Sequence, residues 1–194
     1  LEEAPKPRPT TSVWTEIGEG LQVLKQVPSV RGAMLHLVLL YSLLAALYVL
    51  ALQLAALIES LGPSGFGALL AMSGVGMAIG AVVIAQAGHR FSRRILSATG
   101  LGTITWTLVL LSQLRGSLVF TLSLCGILGV GAALVAIPAQ TTIQEETPES
   151  ERGRVFGLQN NLINIALSLP LVLAGTLVSS IGLQPVLLLL AGLA

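Results

Sequence analysis

The chain has 194 residues, with 10 Lys and Arg against 9 Asp and Glu, so charged residues make up 10%, where a soluble domain carries roughly 25%. Hydrophobic residues make up 54% and mean hydropathy is +0.87. A soluble enzyme or a disordered tail is excluded by this balance, and a net charge of +1 supplies no basic field to hold nucleic acid.

The charges are also clustered. Eight fall in residues 1–32, followed by Glu59, then Arg90, Arg93 and Arg94, then Arg115, then six between Glu145 and Arg154. The charge-free stretches 32–58, 60–89, 95–114, 116–144 and 155–194 are each long enough for a helix across ~30 Å of hydrocarbon, which takes about 20 residues. The fold class expected is an all-α, polytopic membrane protein. Its expected partner is the lipid bilayer.

Residues 1–11, with Pro5, Pro7 and Pro9, read as linker. Leu1 in place of Met suggests a start inside a longer protein. Over 12–27, Val13, Ile17, Leu21 and Leu24 share one helical face beside Trp14, despite Gly18 and Gly20. This predicts an amphipathic helix on the membrane surface. Residues 1–32 thus form a cytoplasmic linker domain, ahead of a transmembrane domain over 33–194.

Spans are expected at about 33–58, 66–87, 95–114, 117–140 and 155–178, with a sixth begun at 183–194. Leu61 to Gly65 and Arg115-Gly116 turn the chain back, and Pro138 lies near the end of the fourth span. The last apolar stretch is about twice a membrane long at 1.5 Å per residue, so it folds back at Ser179 to Pro185. The final piece, about 18 Å, is too short to cross, so the chain reads as cut at both ends. Nine Lys and Arg lie on one side, in the N-terminal segment, loop 88–94 and loop 141–154, against Arg115 on the other. By the positive-inside rule the nine are cytoplasmic.

Cys125 is a lone small residue in an apolar stretch, so no disulfide within the chain or cysteine-based metal site is available. No metal or cofactor is expected. Gly62-Pro63-Ser64-Gly65 matches the Gly-x-Ser-Gly of rhomboid intramembrane proteases. A serine nucleophile needs a histidine base within hydrogen-bond reach. His36 and His89, however, both lie at the opposite membrane face from Ser64, so the motif reads as a turn and the chain as no enzyme. Gly74, Gly76 and Gly80 in the second span, and Gly126, Gly129 and Gly131 in the fourth, have the small-residue spacing of close helix packing.

Three motifs carry a family resemblance. Gly80, then Gly88-x-Arg90-x-x-Arg93-Arg94, resembles the loop signature of the major facilitator superfamily, with His89 in place of its Asp and Ser92 in place of its Gly. Those departures resemble the second-half copy. Trp14-x-Glu16-x-x-Glu19-Gly20-Leu21, with Pro28 and Arg31, is similar to the lead into the seventh helix of bacterial enterobactin- and macrolide-type efflux proteins. Thr142-Ile143-Gln144-Glu145, with Pro148 and Arg152-Gly153-Arg154-Val155, is similar to their loop between the tenth and eleventh helices.

The resemblance implies the C-terminal six-helix half, an inverted three-plus-three repeat, of a twelve-helix transporter in a bacterial inner membrane. It implies export of a drug- or siderophore-like small molecule by alternating access, with the N-terminal half of the same protein as partner. The first and fourth helices of such a half line the cavity, which makes Tyr41 and Tyr48 substrate-contact candidates. Asn160, Asn161 and Asn164 join them, since they share one face of the fifth span with Ser168. Interhelical hydrogen bonding is the other reading of those asparagines. A cytoplasmic gate is expected among Gly88, Arg90, Arg93, Arg94, Glu145, Glu146, Glu149, Glu151, Arg152 and Arg154. The rival to a half-transporter is a small oligomeric interaction or pore protein.

Overall fold

The computed structural model describes residues 24–56, 65–113 and 117–194, together with positions 18 and 22. Most of the amphipathic stretch 12–27 and the Ser64 turn lie outside the described residues. From residue 28 on, the described residues form six α-helices: α1 (Pro28–Ala56), α2 (Phe66–Ala87), α3 (Arg93–Gln113), α4 (Leu118–Glu146), α5 (Arg152–Ile181) and α6 (Leu183–Leu193). Single 3-10 turns at Gly88–Arg90 and Glu149–Glu151 join α2 to α3 and α4 to α5. Among the described residues there is no strand, and α1 to α5 are long and apolar enough to cross a membrane.

Several ends differ from the hydropathy boundaries. α1 begins at Pro28 rather than 33, because proline suits the first helical position, where no N–H partner is needed. The Arg31 N–H then closes the first turn on the Val27 carbonyl at 3.1 Å. α4 runs on through Thr141 to Glu146 rather than stopping at 140. Polar side chains end a hydrophobic span without ending a helix, and Pro138 lies inside α4. Its missing N–H breaks one backbone bond, while the Thr142 hydroxyl donates to the Pro138 carbonyl at 2.8 Å. α5 gains three residues at each end and stops at Gly182, whose φ of 85° suits a residue without Cβ. Its N–H bonds the Val178 carbonyl at 2.9 Å.

α4 is the central helix, packed on α1, α2 and α3, while α5 packs on α1 and α6 on α3. The partner pattern largely survives exchanging the first three helices for the second three: α2 on α4 corresponds to α5 on α1, and α3 on α6 to itself. The α2–α4 contact is backbone on backbone. A Cβ added at Gly76 would sit 1.9 Å from the Gly126 carbonyl oxygen, and one at Gly129 would sit 2.0 Å from that of Ser73.

The main core joins Leu40 and Leu43 of α1, Ile104 and Leu108 of α3, Leu128 of α4 and Leu187 of α6. A second cluster closes the arginine-bearing end, where Leu24, Met34, Ile143, Val155 and Leu158 meet. Large apolar side chains also point outward, among them Trp106 at 70% and Val119 at 76% exposure. Spans clothed in such residues belong in hydrocarbon, so the protein is a multi-pass integral membrane protein.

Candidate functional site

The two junctions at the arginine end, α2 to α3 and α4 to α5, bring charged and polar groups together. Ser92 accepts the Ile95 N–H on its Oγ at 3.3 Å and so caps the start of α3. Arg93 follows at the first helical position. Its Nη2 donates to Glu145 of α4, and its Nη1 lies 3.6 Å from Glu146 Oε1 and 3.4 Å from Thr142 Oγ1. Each partner stands at the unfavourable end of its helix dipole, a cation at an N-terminus and carboxylates at a C-terminus, and pairing them offsets both. All three side chains are partly in solvent, with 41%, 59% and 43% exposure, so each ion pair contributes about 0–1 kcal/mol.

The other charged residues divide differently. Glu149 pairs with Arg152 at 3.7 Å and Glu151 with Arg154 at 2.7 Å, all within the α4–α5 junction. Arg90 and Arg94 are exposed and reach none of the described carboxylates. Gly88 donates its N–H to Ile84 at the end of α2. Arg93 is therefore the basic residue of this loop that crosses to the acidic end of α4. Beside it an open cleft of about 1040 Å³ lies between the ends of α1, α3 and α4.

Deeper in the same end, Gln159 of α5 donates from Nε2 to Gln140 Oε1 of α4 at 2.7 Å. Sequence reasoning missed this pair. The available signal was symmetry: the two glutamines stand about equally far on either side of the Glu149–Glu151 turn, so they meet when the helices fold back on each other.

The tyrosines separate. Tyr41 is half-buried against the arginine-end cluster. Tyr48 lies about 10 Å further along α1, half-exposed, with its ring edge-on to Phe66 at 5.5 Å and 89°. There it lines a small apolar cavity of about 90 Å³ with Leu47, Leu111, Ser73 and Leu187. Neither hydroxyl bonds a described residue.

On α5, Asn160 and Asn164 are exposed and Asn161 half-buried. Asn164 and Ser168 line an open groove of about 470 Å³ with Ile165, Leu169 and Val172. Ser168 donates to the Asn164 carbonyl at 2.8 Å. No asparagine side chain bonds another described helix, so interhelical hydrogen bonding within this unit does not account for them. Among the described residues no group of three His, Cys, Asp or Glu side chains gathers as a metal site.

The family model of the Major Facilitator Superfamily matches residues 34–194. The chain is 33% identical, over a 205-residue alignment, to the uncharacterized MFS-type transporter YfiS of Bacillus subtilis (strain 168). That alignment covers 95% of this chain and 45% of the relative, so the chain spans about half the length of the curated relative it matches. No solved structure matches.

Proposed function

The chain belongs to the Major Facilitator Superfamily, and we propose that it is the C-terminal six-helix half of a secondary transporter. It works against an N-terminal half by alternating access, exporting a drug- or siderophore-like molecule across a bacterial inner membrane. The nine-to-one Lys and Arg asymmetry supports a cytoplasmic arginine end, with residues 1–32 as the linker from the other half.

One observation carries this reading: the polar strip of Asn160, Asn164 and Ser168 on α5 lies open on the outside of this six-helix unit. Amides facing lipid are costly, and membrane polar groups face protein or water-filled cavities instead. The strip, with Tyr41 and Tyr48 of α1 as further candidates, lines the substrate path against the other half. At the cytoplasmic end, Arg93 with Glu145 and Glu146 ties α3 to α4. The Arg152–Glu149 and Arg154–Glu151 pairs brace the adjacent α4–α5 junction, and the Arg93 tie holds the inner side closed and loosens when the halves rock.

A substrate-accumulation panel on the full-length protein tests this. Cells expressing it should accumulate less of at least one amphiphilic drug or siderophore, and Asn164→Ala should weaken that effect without lowering the amount of protein in the membrane. Residues 1–194 alone should transport nothing. Transport by that fragment above empty vesicles would overturn the half-transporter reading.

A further inference from the structure

Asn164 stands twelve residues past Arg152, the start of α5, about 18 Å along the helix axis and well inside the span. From Val155 to Ile181 the helix carries no charged side chain. Asn160, Asn164 and Ser168 follow one another at four-residue steps, about 6 Å apart, and all three are exposed. Ile165, Leu169 and Val172, exposed as well, form the apolar flank of the groove that Asn164 and Ser168 line.

The two polar side chains of the groove are left in complementary states. The Ser168 hydroxyl gives its one proton to the Asn164 carbonyl at 2.8 Å, so its oxygen offers the groove lone pairs only. The Asn164 amide bonds no described residue and keeps two N–H donors and a carbonyl acceptor. We infer that the molecule held here is an uncharged amphiphile. One edge carries an N–H or O–H donor for Ser168 and a carbonyl acceptor for Asn164, about 6 Å apart, and the other edge is hydrocarbon. This rests on the reading of the strip as part of the substrate path.

Depth selects against ions. An ammonium or carboxylate beside Asn164 gives up water and finds no countercharge on α5, and amide contacts alone do not repay that loss. The apolar flank selects against a molecule polar all round, such as a sugar, whose second edge would strand hydroxyls against Ile165, Leu169 and Val172. The competing occupant of the strip is a helix of the other half. In that case a change at Ser168 alters stability and leaves the preference among transported molecules untouched.

Export assays on cells carrying the full-length protein test this with three probes built on one naphthyl skeleton. They are a diamide with two N–H groups, its N,N′-dimethyl form, which keeps both carbonyls and has no donor, and the diamine, which is cationic. The diamide should leave at least about fivefold faster than the other two, since one strands the Ser168 acceptor and the other an unpaired charge. Ser168→Ala should bring the diamide and dimethyl rates within about twofold of each other, at matched amounts of protein in the membrane. Ser168→Thr, which keeps the hydroxyl, should preserve the preference. Equal export of the diamide and its dimethyl form by the wild type overturns the inference, whether or not the variants accumulate. So does faster export of the diamine, a preference that survives Ser168→Ala, or export of none of the three by a protein that exports another compound. Export of no compound at all overturns the transporter reading instead.

Discussion

Gln159 donates to Gln140 across 2.7 Å, joining two helices that otherwise lie apart, each packed on α1. Gln159 is 7% exposed, so its amide has little water to fall back on. Gln159→Leu should strand the Gln140 amide and cost about 1–2 kcal/mol. Gln140→Leu with Gln159→Leu should cost less than the two single changes summed. A double-mutant cycle on melting in detergent measures this, and strictly additive losses would show that the two amides are not coupled.

Arg93 distinguishes itself from its neighbours by crossing to α4. In the full-length protein, Arg93→Glu should reduce transport and favour the form open at the arginine end, and Glu145→Arg should restore part of it. Arg94→Glu should have a far smaller effect, because Arg94 reaches no described carboxylate. These pairs are half in solvent, so the difference between wild type and Arg93→Glu should shrink as salt rises. Equal transport by Arg93→Glu and wild type would remove Arg93 from the gate.

The α2–α4 contact leaves no room for a side chain at Gly76. Gly76→Ala should destabilise the protein by about 1–3 kcal/mol, or prevent its accumulation, since backbone rather than a flexible side chain must give way. Gly74→Ala, on the same helix but facing open space, should be tolerated. Thermal stability of the two variants side by side makes the comparison, and equal melting temperatures would contradict the close approach.

Sidedness can be checked directly. Cysteine placed at Ser117, before α4, should react with a membrane-impermeant maleimide added to intact cells. Cysteine at Ser92, before α3, should react only after the cells are opened. The reverse pattern would invert the topology and place the Arg93 pairs outside.

The sequence by itself determined the rough extent of the long apolar helices among the described residues. Hydrocarbon excludes charge, so every break between spans is marked by arginines, glutamates or turn residues, down to the Gly182 turn that divides α5 from α6. The family was legible too, because loop residues such as Gly88, Arg93 and Arg152 keep a recognisable order and spacing.

What only the tertiary structure decided was which residues meet. Arg93 and Arg94 are adjacent in sequence, but successive residues on a helix point about 100° apart, and the seating of α3 on α4 selects Arg93 for Glu145. The small-residue spacing marked several glycines of α2 alike, yet Gly76 meets the backbone of α4 while Gly74 faces open space. The asparagines of α5 show the same limit. Periodicity places them on one face, but whether that face is bonded to a neighbour or left open depends on where the other helices lie, and the described ones leave it open.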